Sequence, residues 1–176
     1  LRGGSTGALH PALGFVGKCP RLAYLRYKGI NVEEADYSRE LMFGAGRANE
    51  DLWLDVLSRG WRGPILREEE IPTYWETKNG TPVTGRPDIV LCKERRNVLR
   101  GVFQKQVLPE VGIELKLISS LWTARDVLMD KPKTLHLMQS AHYMWQLGIP
   151  FELWYTNRAD LATTGWAQKL FDPKSP

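Results

Sequence analysis

The sequence predicts an α/β fold in which helices and strands alternate along one chain. Three observations lead there. A segment with apolar residues at helical spacing, 38–60, and a further expected helix near 133–148 alternate with short runs rich in Val, Ile, Leu, Trp and Tyr at 65–92, 111–119 and 150–158. Asn79 and Gly80 form a turn pair between two of those runs, as in a hairpin. The 176 residues suffice for one well-buried core, and no linker-like stretch divides them, so 1–176 is expected to be a single domain.

Each element has its own signal. Pro20 at the start and Gly29 just past the end frame a short amino-terminal helix over about 19–29. A second helix runs from Ser38, an N-cap residue, to Gly60; Leu41, Ala45, Ala48, Leu52 and Val56 form its apolar stripe, with Gly46, Glu50 and Trp53 on the opposite side. "ILREEEIPTYWE" and "TPVTGRPDIVLC" read as neighbouring antiparallel strands, and "VGIELKLIS" as the next strand. The segment from Glu94 to Val111 is basic without a clear period, and reads either as a substrate-facing insertion between strands or as an exposed hairpin with no role. A helix is expected to begin near Ser119 or Ser120 and another to run from near Lys133 to Gly148, before a strand in "PFELWYTNR".

Composition excludes several classes. No apolar stretch approaches the roughly 20 residues of a membrane span, so no membrane partner is expected. Two cysteines, Cys19 and Cys92, are too few for a disulfide scaffold, and no signal peptide is visible; the expectation is an intracellular, cytoplasmic protein, in the nucleoid or a host cytoplasm if phage-encoded. The net charge of +4 favours a polyanionic partner only mildly. Its placement says more. Arg21, Tyr24 and Lys28 lie in "KCPRLAYLRYKG", where cations interleave with aromatic rings; such a segment either holds phosphates and stacks on bases or is a solvated helix face.

The chemistry concentrates in "TGRPDIVLCK" and "VGIELKLIS". On a strand Glu114 and Lys116 project to one face while Ile113, Leu115 and Leu117 project to the other. Asp88 sits beside Pro87 at the mouth of a buried strand, where a charge is costly unless paired. If it projects toward the same point, two carboxylates converge beside a lysine, and such hard oxygen donors suit magnesium or manganese. The alternative is an ordinary Glu-Lys pair on a half-exposed strand.

Pro87, Asp88, Glu114, Leu115 and Lys116 together resemble the motif of the RecB-like PD-(D/E)XK nuclease superfamily. Gly46 and Glu50 in "FGAGRANEDLW" resemble the Gly-x-x-x-His/Glu element that precedes it in RecB-like and lambda-exonuclease-like enzymes. Gln139 and Tyr143 in "QSAHY" resemble the Gln-x-x-x-Tyr element that follows it. "GKCPRLAYLRY" is similar to the opening of RecB-like nucleases, including CRISPR-associated ones, so the resemblance spans about Cys19 to Tyr155.

The resemblance implies a restriction-endonuclease-like core with a central mixed sheet, and a metal-dependent deoxyribonuclease. Asp88 and Glu114 would be ligands of one or two Mg2+ or Mn2+ ions, Leu115 would offer its backbone carbonyl, and Glu50 would complete the site directly or through water. Lys116 would stabilise charge on phosphate or orient the attacking water, with Gln139 and Tyr143 positioning that lysine or the substrate backbone. End-processing members carry the flanking elements, so an exonuclease acting on single- or double-stranded DNA ends in recombination or repair is expected, alone or as a homo-oligomer or with a recombination partner protein. A structure- or site-specific endonuclease and a nucleic-acid-binding or assembly subunit are the alternatives.

Related CRISPR nucleases join a cysteine at the position of Cys19 to three near the carboxyl terminus; those three are not in this sequence, so either this branch holds no iron-sulfur cluster, which is the expectation, or the chain was cut before its ligands. His136 and His142, six residues apart, share no helix face and do not support a zinc site. "FGAGRA" lacks the Gly-Lys-Ser/Thr ending of a phosphate loop.

Overall fold

A computed structural model describes residues 20–28, 37–67, 70–71, 73–99, 102–119, 121–129, 131–158 and 163–166. Cys19, Gly29, Arg100 and Ser120, on which parts of the reading above fall, lie outside the described residues. The elements are α1 (Pro20–Tyr27), α2 (Tyr37–Gly60), β1 (Ile65–Arg67), β2 (Thr73–Glu76), β3 (Pro82–Gly85), β4 (Ile89–Leu99), β5 (Val102–Ile118), α3 (Leu121–Leu128), α4 (Thr134–Leu147), β6 (Phe151–Asn157) and β7 (Thr163–Trp166). Among the described residues no helix is long and apolar enough to cross a membrane.

Five strands form one mixed sheet in the order β1-β4-β5-β6-β7, and β2 with β3 forms a separate hairpin. The fold is α/β, as the sequence predicts. The two segments expected as single strands at 65–76 and 81–92 are each split. β2 pairs with β3 around the Asn79-Gly80 turn, where Gly80 takes φ +71°, while β1 pairs with β4 in the main sheet. β4 and β5 are antiparallel from Ile89↔Ile113 to Leu99↔Val102, so the described residues of segment 94–111 continue two long strands. β5 and β6 are parallel from Gly112↔Phe151 to Ile118↔Asn157, a pairing that needs a crossover, which α3 and α4 provide. A Cβ on Gly112 would lie 2.2 Å from the Phe151 ring, so a residue without a side chain is required where that ring crosses β5. β7 extends the sheet beyond β6 and was not expected from the sequence.

Side-chain alternation assigns the two faces. Ile89, Leu91, Ile113 and Leu115 pack with Trp53, Leu54 and Leu57 of α2. On the other face Val90, Cys92 and Phe151 pack with Tyr143 and Met144 of α4. Ile118, Leu153 and Tyr155 continue that second layer with Val127 of α3 and Leu137.

Helix α2 corrects one expectation. Leu41 (53% exposed), Leu52 (46%) and Val56 (46%) face solvent, and Ala48 is exposed with them. The helix docks through the opposite side, where the Trp53 indole donates to the Thr156 hydroxyl at 3.0 Å and its ring meets Trp154 edge-on at 4.8 Å. Both sides carry apolar residues at helical spacing; the larger area of Trp53, Leu54 and Leu57 is the one buried against the sheet.

Candidate active site

The turn "GRPD" ends β3 and delivers Asp88 to the first position before β4. Pro87 is fully buried there and has no N–H to leave unmatched. The β4–β5 ladder begins at Ile89↔Ile113, so the Leu115 amide lies beyond the reach of the β4 backbone. The Asp88 carboxylate takes its place: Leu115 N–H donates to Asp88 Oδ2 at 2.6 Å. The charge at the strand mouth is therefore held first by the neighbouring strand's backbone.

Glu114 and Lys116 project from β5 to the α4 face, as alternation requires, while Leu115 packs on the α2 face. Glu114 is 0% exposed, and its Oε1 accepts a hydrogen bond from the Lys116 ammonium in a buried ion pair. Burial alone would lower the Lys116 pKa, but the charges of Glu114 and Asp88 and the hydrogen bond that the ammonium donates to Glu114 outweigh it, so the net shift is upward. Both carboxylates thus act on one ammonium, and Lys116 is held as a cation.

Gln139 and Tyr143, one turn apart on α4, are both buried. Gln139 Nε2 donates to the Tyr143 hydroxyl at 3.4 Å, and the same hydroxyl accepts the Arg86 backbone N–H at 3.3 Å. The pair therefore fastens the turn that carries Asp88; these bonds go to the Asp88 turn and not to Lys116. Burial drives the Tyr143 phenol pKa up, and the negative charges of Glu114 and Asp88 add to the rise.

The structure adds two residues that motif spacing missed. Tyr155 stands opposite Lys116 in the parallel register, and its hydroxyl lies 2.9 Å from His136 Nδ1. Burial pushes the Tyr155 phenol up to about 12, although a backbone bond from Lys133 and the Lys116 charge pull the other way. The His136 pKa is lowered to about 4, first by burial and then by the charges of Lys116 and Lys133. The usable signal was parity: Tyr155 shares the inward side of β6 with Phe151 and Leu153. His142 instead lies against the rings of Tyr143 and Trp145, and so stands apart from His136.

Glu50 is half-buried on α2, the helix that covers the face opposite Glu114 and Lys116. Among the described residues, no group of three or more His, Cys, Asp or Glu side chains is gathered in a way that could hold a metal ion. Asp88 and Glu114 are a two-carboxylate set. On α1, Arg21, Tyr24 and Lys28 are exposed, and the Lys28 ammonium lies 5.8 Å from the Tyr24 ring centre and 5.5 Å from that of Tyr27. Cys92 is buried in the α4-side core, and burial raises its thiol pKa, with Glu70 adding to the shift.

No family model matches the chain. No curated protein matches it either. Among solved structures it is similar to one described as the crystal structure of SSO0001, at 20% identity and a TM-score of 0.45, over 73% of this chain and 53% of the other. The chain thus spans about half the length of that structure.

Proposed function

We propose that the chain is a metal-dependent deoxyribonuclease with a restriction-endonuclease-like core, acting on DNA ends. The observation that carries this reading is the convergence of Asp88 and Glu114 on one lysine: both carboxylates raise the Lys116 pKa, and all three groups border the α4 face of the sheet. Asp88 serves the fold through the Leu115 amide, yet its charge also reaches Lys116, so two carboxylates and one ammonium meet around Leu115. The antiparallel β4–β5 and parallel β5–β6 pairings agree with the expected core.

The donor set fits a hard divalent cation. Magnesium is commonly held by one or two carboxylates, with waters and substrate phosphate oxygens filling the remaining positions, so a third protein acid is not required. Asp88 and Glu114 would hold the ion, which when bound supplies Lewis-acid polarisation of the phosphodiester. The chain's own residues do the rest. Lys116, kept protonated by its two neighbours, offers a fixed positive charge to the phosphate as negative charge grows on it, a stabilisation that needs no reorganisation during reaction. Tyr143, through Arg86, holds the turn that sets the position of Asp88. Arg21, Tyr24 and Lys28 supply a cationic and aromatic surface for the DNA backbone and bases.

The test is incubation of end-labelled linear and circular DNA, single- and double-stranded, with magnesium or manganese. Loss of label from linear DNA with circles intact is the expected result. Cutting of circles would make the protein an endonuclease, and binding without cleavage by either ion would make it a nucleic-acid-binding subunit.

A further inference from the structure

Beyond Cys92, β4 and β5 leave the body of the sheet and continue as a two-stranded ribbon, with Lys93, Glu94, Arg95 and Arg96 exposed on one strand and Lys105, Gln106 and Val107 on the other. Within it Arg96 and Lys105 stand directly opposite each other in register. Two cations in that relation repel and weaken the pairing they belong to. Glu94 relieves only one of them, through an exposed ion pair with Lys105 at 3.3 Å. A ribbon selected for stability alone would put an acid opposite Arg96, so the arrangement calls for an anion that lies against both cations.

The bulge between Leu91 and Cys92 places its extra residue, Glu110, in β5: Leu91 pairs with Val111 and Cys92 with Pro109. Alternation along β4 is therefore unbroken, and Arg96 falls on the side of β4 that carries Val90 and Cys92, the side of Asp88. Eight positions separate Asp88 from Arg96, which is roughly 27 Å of strand at about 3.4 Å per residue. Duplex DNA stays straight over such a span and carries phosphates throughout it, whereas a single strand would need a continuous groove to follow.

We propose that the Arg96–Lys105 cross-strand pair is a phosphate-contacting site for duplex DNA, a second point of attachment that fixes the duplex relative to Asp88 and Glu114. This assignment rests on the nucleic-acid reading above, but it concerns binding and not the chemical step. The cationic pair trades ribbon stability for affinity, which gives it a signature that a purely structural pair lacks.

The experiment measures binding of a labelled duplex across a salt series, in chelator and without divalent metal, beside thermal unfolding, for the native protein and for Arg96→Glu. Arg96→Glu places an acid opposite Lys105, so the variant is expected to unfold no earlier than the native protein. It is also expected to bind duplex more weakly, with a salt slope smaller by at least about one, the loss of one phosphate contact. Native affinity and slope in the variant, or weakened binding that appears only together with earlier unfolding, would overturn the assignment. Cleavage is scored separately. Slope loss in a protein that never cuts DNA sinks the nuclease reading and leaves this site standing. Normal cutting with an unchanged slope sinks this site alone.

Discussion

Asp88 accepts the Leu115 amide at 2.6 Å, so the carboxylate that ends the "GRPD" turn also completes the edge of the β4–β5 ladder. One oxygen serves the fold while the charge as a whole acts on Lys116. Structure and chemistry can therefore be separated by substitution at this one position. Asp88→Asn retains a carbonyl oxygen for the amide, and Asp88→Ala does not. Urea unfolding should show the Ala variant less stable than the Asn variant by about 1–3 kcal/mol, the cost of a part-buried donor left unmatched. Both should lose metal-dependent cleavage and the rise in melting temperature that manganese gives the native protein. Equal stability of the two variants would show that the Leu115 bond contributes nothing.

Lys116→Ala removes the cation from a carboxylate that is 0% exposed. Breaking a buried pair in this way typically costs about 3–5 kcal/mol, so the metal-free variant should melt well below the native protein. Manganese, by restoring positive charge beside Glu114, should return part of that loss. Single-turnover cleavage should fall about 100- to 1000-fold even where the variant is fully folded. Near-native cleavage would reduce Lys116 to a structural partner of Glu114.

His136 sets a pH dependence of stability. Its pKa is lowered in the folded protein to about 4 from an ordinary 6.5, so between those values the unfolded chain binds a proton that the folded chain does not. Stability then rises with pH across that window: the contribution is present in full above 6.5 and is lost as pH falls through 6.5 toward 4. After allowance for solvent screening of a partly exposed imidazole, the effect should be about 1–2 kcal/mol. Urea midpoints measured from pH 4 to 7 should slope upward in the native protein and flatten in His136→Asn, which can still hydrogen-bond to Tyr155. Parallel slopes in the two proteins would remove His136 from this role.

The two sides of α2 can be told apart by truncation. Trp53→Ala deletes a ring packed on Trp154 together with its bond to Thr156, and should cost about 3–5 kcal/mol. Leu52→Ala alters a solvent-facing position and should stay within about 0.5 kcal/mol. Comparable losses in denaturant unfolding would mean that the exposed stripe is covered in solution.

By itself the sequence determined the α/β class and the placing of its main helices and strands, because those follow from local rules, but not the splitting of the segments at 65–76 and 81–92 or the strand β7. Alternation puts Glu114 and Lys116 on one side of β5 whatever the strand pairs with, Asn79-Gly80 makes a hairpin turn from its own backbone preferences, and Gln139 and Tyr143 meet because they lie one helical turn apart. Tertiary structure decided every question that local rules left balanced. Helix α2 had two apolar sides of equal period, and the choice between them came from which one matched the surface formed by Ile89, Ile113 and Trp154. The partners of Asp88 and Tyr143, the Leu115 and Arg86 amides, became available only where a ladder ended and a turn passed beneath a helix. Tyr155 reached Lys116 and His136 through a parallel crossover that no spacing along the chain encodes. The physical reason is range: backbone preference and side-chain period act over a few residues, whereas burial is settled between surfaces that meet only after the chain has folded.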